Sequence, residues 1–115
     1  GGDHCYRLMT TVSVRYEGSA VSSITVRDHA GYAEYGHDIV CAAASVLITT
    51  CANALESVAG VSPITHVDER TAEIRVTLPE GLAPQQAHDA QVILLTALQG
   101  FRDIAQQYPK NLQII

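Results

Sequence analysis

Apolar residues in this chain repeat at every second position through residue 28 and at every third or fourth from residue 38, and the switch recurs in the second half. A strand cannot use the longer period and a helix cannot use the shorter, so this double switch limits the fold more than any other feature. "TTVSVRY" (10–16) sets Val12, Val14 and Tyr16 on one face, and "VSSITVRD" (21–28) continues with Ile24 and Val26. The "EGSA" link (17–20) between them makes the pair a hairpin. From Asp38, residues Val40, Ala44, Leu47, Cys51, Ala54, Leu55 and Val58 form one helical stripe that stops at Gly60, a C′ glycine. "THVDER" (65–70) and "TAEIRVTL" (71–78) predict a second strand pair, with Ile74, Val76 and Leu78 alternating. Pro84 suits the first turn of a second helix, whose inner stripe is Ala87, Ala90, Leu94, Ala97, Leu98, Phe101, Ile104 and Tyr108. Pro109 ends it, and "NLQII" (111–115) can add a short edge strand. The order β-β-α-β-β-α predicts an α+β fold: a two-layer α/β sandwich, with an antiparallel sheet and two long helices on one face.

A chain of 115 residues holds one such domain, expected over residues 9–115, with residues 1–8 as an N-terminal tail of artificial origin and Met9 as the natural start. Twelve acidic residues against seven basic ones give a net charge of −5, which argues against direct nucleic-acid binding and suits a basic partner. Cys5, Cys41 and Cys51 form no CxxC pair, so the thiols are expected to be reduced and the compartment cytoplasmic. No cofactor is expected. The apolar runs read as too short and too broken to cross a membrane, and no secretory signal opens the chain.

One cysteine occupies a position where chemistry is possible. With Asp38 as N-cap, Cys41 is the third helical residue, among backbone amides without intrahelical partners that favour an anion. Those amides could also stabilise the oxyanion of an attacked carbonyl, with the Asp38 cap aiming the sulfur. The Asp38 carboxylate opposes a thiolate, so a nearby histidine is needed. His29, at a strand end, is the better placed; His37 adjoins the cap and reads as a solvated loop residue. Simple packing of Cys41 stays open as the alternative, and Cys51 on the apolar stripe reads as a buried hydrophobe. A metal held by His29, His37 and Cys41 would need irregular spacing, so no metal is assigned.

The stretch "HAGYAEYGHDIVCAAAS" (29–45) resembles the signature of the ribosomal-processing cysteine proteases, the Prp family. That pattern has His-Ala at a strand end, a glycine-containing loop, and then D-[IV]-[VI]-C-A-[AG]-x-S. The resemblance implies that Cys41 is the nucleophile and His29 the general base. It implies that the loop between these two residues is ordered by the bound peptide. From the residues themselves, Ala30, Gly31, Tyr32, Tyr35, Gly36 and Ser45 are candidates for a substrate loop or pocket, with Asp38 and Ala42 as helix cap and oxyanion support; Ser45 as a small packing residue and the tyrosines as ordinary loop residues stay open. The resemblance also implies a homodimer that cuts the N-terminal extension from large-subunit ribosomal protein twenty-seven, a basic protein, during ribosome assembly. Asp28 stands where the family usually has glycine. Two other classes remain open from the residues: a non-enzymatic dimeric module that binds a ribosomal protein tail, and a redox-active thiol protein.

Overall fold

The computed structural model describes the backbone of residues 9–28 and 35–115 and the side chains of residues 9–28 and 39–115. The expected tail over residues 1–8 lies outside them. The first hairpin joins β1 (Thr10–Glu17) to β2 (Ala20–Arg27). Glu17 pairs with Ala20, so the turn is only Gly18-Ser19, and Gly18 takes the positive φ of 63° that a type II′ turn asks of its first central residue. The pairing slips between Arg15 and Tyr16, where Ser22 is the extra residue of a bulge. That slip puts Val21 in the core together with Ile24 and Val26, which alternation alone would not allow. Gln91 then serves the irregular strand, accepting from the Val21 amide (2.9 Å) and donating to the Val21 carbonyl (2.7 Å).

Helix α1 (Tyr35–Ser57) follows, then β3 (Ile64–Asp68), β4 (Glu73–Thr77), α2 (Pro84–Gln107) and β5 (Leu112–Ile114). Gly60, at φ 66°, ends α1 as expected, donating its amide to the Glu56 carbonyl at 3.1 Å. Pro84 opens α2, and the Gln86 side chain accepts from the Ala83 amide at 3.1 Å. The strand order is β3-β4-β2-β1-β5. The sheet is mixed, not purely antiparallel, because β5 runs parallel to β1. Helix α2 returns the chain to the end of the sheet where β1 begins, and Thr10 bonds there to Asn111 (2.8 Å). The fifth strand can then only run alongside β1 in the same direction.

Both helices pack on one core. The sheet supplies Val12, Ile24, Val26, Val76 and Leu112; α1 supplies Val40, Ala44, Ile48, Cys51 and Leu55; α2 supplies Ala90, Leu94, Ala97 and Phe101. Ile48 thus belongs to the inner stripe of α1, whereas Val58 and Tyr16, expected inside, are exposed where strands and helix run past the core. One expectation fails outright. Residues Ile39–Ser57 form a helical segment of 19 residues with mean hydropathy 1.7, long and apolar enough to cross a membrane by length and composition. Its two threonines, two serines, one asparagine and one glutamate are too few to break the run. The inner stripe is committed to the sheet, and only 28% of the segment is buried in this chain.

Candidate active site

The expected site lies where β2 hands the chain to α1. Helix α1 ends near the start of β3, and Ile64 there pairs with Thr77, at the hairpin-turn end of the sheet. The start of α1 therefore lies over the opposite end, where β1 begins and β2 finishes. Ala42 and Ala43 share a cleft there with Ile104, from the last turns of α2, whose chain leads on to Asn111 and Thr10.

Cys41 is the seventh residue of α1 and is half-buried. Ala42 after it is exposed, Ala44 is buried and Ser45 is half-buried. The helix opens at Tyr35, one turn ahead of the expected start, so Asp38 is a first-turn residue and not the N-cap. An acid is favoured at the cap and throughout the first turn alike, so Asp38 could not fix the boundary. The consequence reaches Cys41 and Ala42. Both lie in the second turn, where backbone amides bond within the helix, so these two amides are not the open first-turn amides that an N-cap at Asp38 would give. Tyr35 and Gly36 are helical, which removes them from the expected loop. His29, Ala30, Gly31 and Tyr32 lie outside the described residues.

Charge at this end of the sheet is organised around Glu73. Its Oε1 accepts from Arg27 Nε (3.1 Å) and Nη2 (2.6 Å), and its Oε2 accepts from Arg75 Nη2 (3.1 Å). The Arg27 hydrogen bonds, with the nearby positive charges of Arg27 and Arg75, hold the Glu73 carboxyl below its ordinary value. Cys51 is different: burial pushes its thiol up to about 11. It is a protonated core residue at neutral pH, as its place on the stripe implied. Among the described residues no group of three or more His, Cys, Asp or Glu is placed to hold a metal. A cleft of about 830 Å³ lies at the far end of the sheet between Arg15, Ser22, Leu78 and Gln91, away from Cys41.

Residues 9–113 match the sequence profile of a family described as cysteine protease Prp. The chain belongs to the Prp family of cysteine proteases. It is similar to the ribosomal processing cysteine protease Prp of Bacillus subtilis, 27% identical over 100 residues that cover 87% of this chain and 89% of that protein. The crystal structure of an essential ribosomal processing protease Prp from Staphylococcus aureus with a substrate peptide superposes with a TM-score of 0.81 at 27% identity, covering 93% of this chain and 98% of that one. A second Prp structure from S. aureus, with a covalently linked product peptide, gives 0.75 at 28% identity, over 92% and 97% of the two chains. Prp membership makes this chain a cysteine protease, and the α+β architecture read from the sequence is the fold that these relatives share.

Sequence reasoning missed two residues at this end, Thr10 and Ala72. The Thr10 hydroxyl donates to Asp28 Oδ1 (3.1 Å), and the Asp28 amide donates to the Ala72 carbonyl (3.1 Å). Counting back from the two-residue turn sets Thr10 opposite Arg27; the bulge at Ser22 moves it opposite Asp28 instead.

Proposed function

We propose that this chain removes the N-terminal extension of large-subunit ribosomal protein twenty-seven, using a Cys41–His29 dyad, as a cytoplasmic homodimer. The observation that carries the reading is the contrast between its two described thiols. Cys41 is half-buried at the start of α1 within the matched family region, whereas Cys51 is buried and its thiol is held protonated. The S. aureus Prp with a covalently linked product peptide supports a covalent route here, and the one with a substrate peptide supports a peptide substrate. A net charge of −5 favours approach of a basic substrate.

In this route His29 takes the proton from the Cys41 thiol, and the sulfur attacks the scissile carbonyl carbon. The tetrahedral intermediate collapses, the C–N bond breaks, and His29 gives its proton to the departing amine. Water, deprotonated by His29, then attacks the thioester; the peptide leaves as a carboxylate and the thiol is restored. Binding of the peptide draws the two dyad residues together.

A second copy is supported by what α1 leaves uncovered. Two adjoining apolar clefts, about 460 and 200 Å³, share Leu47 and Thr50 and run along the outer surface of both helices.

The test is incubation with the precursor of that ribosomal protein, followed by intact mass. Wild type is expected to shorten it at the N-terminus, and Cys41→Ala and His29→Ala are expected to lose at least ~10³-fold in rate. A Cys41→Ala variant that cuts at the wild-type rate would sink the dyad. A precursor bound but left whole by wild type and Cys41→Ser alike would sink the substrate assignment.

A further inference from the structure

A row of hydrogen bonds crosses one end of the sheet. The Asn111 carbonyl accepts from the Thr10 amide (2.8 Å), the Thr10 hydroxyl donates to Asp28 Oδ1 (3.1 Å), and the Asp28 amide donates to the Ala72 carbonyl (3.1 Å). The row ties the start of β5, the start of β1, the end of β2 and the turn between β3 and β4. Two of its members are unusual. Thr10 is fully buried, and a buried hydroxyl needs a partner, which the Asp28 carboxylate supplies. Ala72 takes φ 52°, a conformation that costs alanine energy and persists only where surroundings enforce it. Thr10 shares its buried face with Val12, so the Asp28 carboxylate lies on the helix side of the sheet, the side that carries α1 and Cys41. Asp28 is thus fixed at both its backbone and its side chain, and the next residue in the chain is His29.

We infer that Asp28 is a positioning residue for the cleavage reaction: its bonds to Thr10 and Ala72 fix the point and direction from which the chain runs on to His29. The inference rests on the reading of His29 and Cys41 as the dyad. A misplacement of about 1 Å can cost ~10²-fold in rate, so a held strand end matters more than its own bond energies suggest. Side-chain and backbone anchors act together, because each removes a freedom that the other leaves.

The experiment measures kcat and KM for the same ribosomal-protein precursor with wild type, Asp28→Ala, Asp28→Asn, Thr10→Val, Thr10→Ser and the Asp28→Ala/Thr10→Val double variant. Asp28→Ala and Thr10→Val are each expected to lower kcat about tenfold, with KM within about twofold. Asn keeps the accepting oxygen and Ser keeps the donating hydroxyl, so both should restore kcat to within about twofold. The double variant should be no slower than the slower single one, because one link is broken in each. Wild-type kcat in Asp28→Ala and Thr10→Val, or losses that multiply in the double variant, would overturn the inference. Thr10→Val is close to isosteric and Asp28→Asn keeps both bonds, so the comparison survives even if Asp28→Ala fails to fold. A wild type that leaves the precursor whole overturns the substrate assignment and the inference with it; an active wild type with an equally active Asp28→Ala overturns the inference alone.

Discussion

Glu73 is 5% exposed although it lies on the sheet face opposite the helices. It keeps its charge there because Arg27 and Arg75 hold both carboxylate oxygens. The two arginines are themselves 59% and 48% exposed, so water weakens what the cluster contributes. Glu73→Gln is therefore expected to cost only about 1 kcal/mol at pH 7, read by urea unfolding. The sign with pH follows from the lowered carboxyl. Its stabilisation is fully present above the ordinary value of 4.5 and is lost as pH falls through the lower folded value. The gap between wild type and variant should close below that range; a gap unchanged from pH 7 down to pH 3 would assign the effect to packing. Two other residues of this end, Cys41 and Asp28, differ in how far the sequence revealed them. Cys41 stood out because it sits within a motif and just inside a period change. The Asp28 partner did not, because a bulge residue at Ser22 leaves no mark in alternation and shifts every pairing beyond it.

At the scale of elements, the interiors of both helices were legible because burial writes its period into the sequence, and Ala90, Leu94, Ala97, Leu98 and Phe101 are all buried as read. The start of α1 was not, since Tyr35 to Asp38 carry no apolar stripe and an acid suits several first-turn positions. Nor could a period of seven residues per two turns reveal where the helices touch. They approach closely at Gly100, where an added Cβ would lie 2.6 Å from Leu47 Cδ2. Leu47 is only half-buried and borders the outer clefts, so its branch end has room to turn away. Against that shift stands the gain of ~1 kcal/mol in helix propensity when alanine replaces glycine. Gly100→Ala is accordingly expected to change unfolding free energy by no more than about 1 kcal/mol in either direction. A loss above ~2 kcal/mol in thermal or urea unfolding would mean that Leu47 is locked where it stands.

For the whole molecule, the question is what the outer surface of the helix pair does. Residues Ile39–Ser57 are apolar enough to span a membrane, yet 28% of them are buried. Val46 is 66% exposed, and Val92 and Leu95 on α2 are 52% and 49% exposed. Scattered apolar residues need no explanation, but these flank two joined clefts lined almost wholly by Ala, Val, Leu, Ile and Thr. The sequence could show the breadth of the apolar helix faces, but not which side the sheet would leave open, because that depends on how the two helices cross. A net charge of −5 on each copy opposes casual association, so pairing here has to come from fitted apolar area. Wild type is expected to run at twice the chain mass in size exclusion with light scattering at micromolar concentration. Val46→Glu and Val92→Glu each place a charge on the proposed interface without entering the core, and a two-fold interface meets each substitution twice. Both are expected to shift the population to single copies while leaving unfolding free energy per chain close to that of a monomer. If wild type is already a single copy across that range, or if both glutamate variants stay paired, the helix face is not where two copies meet.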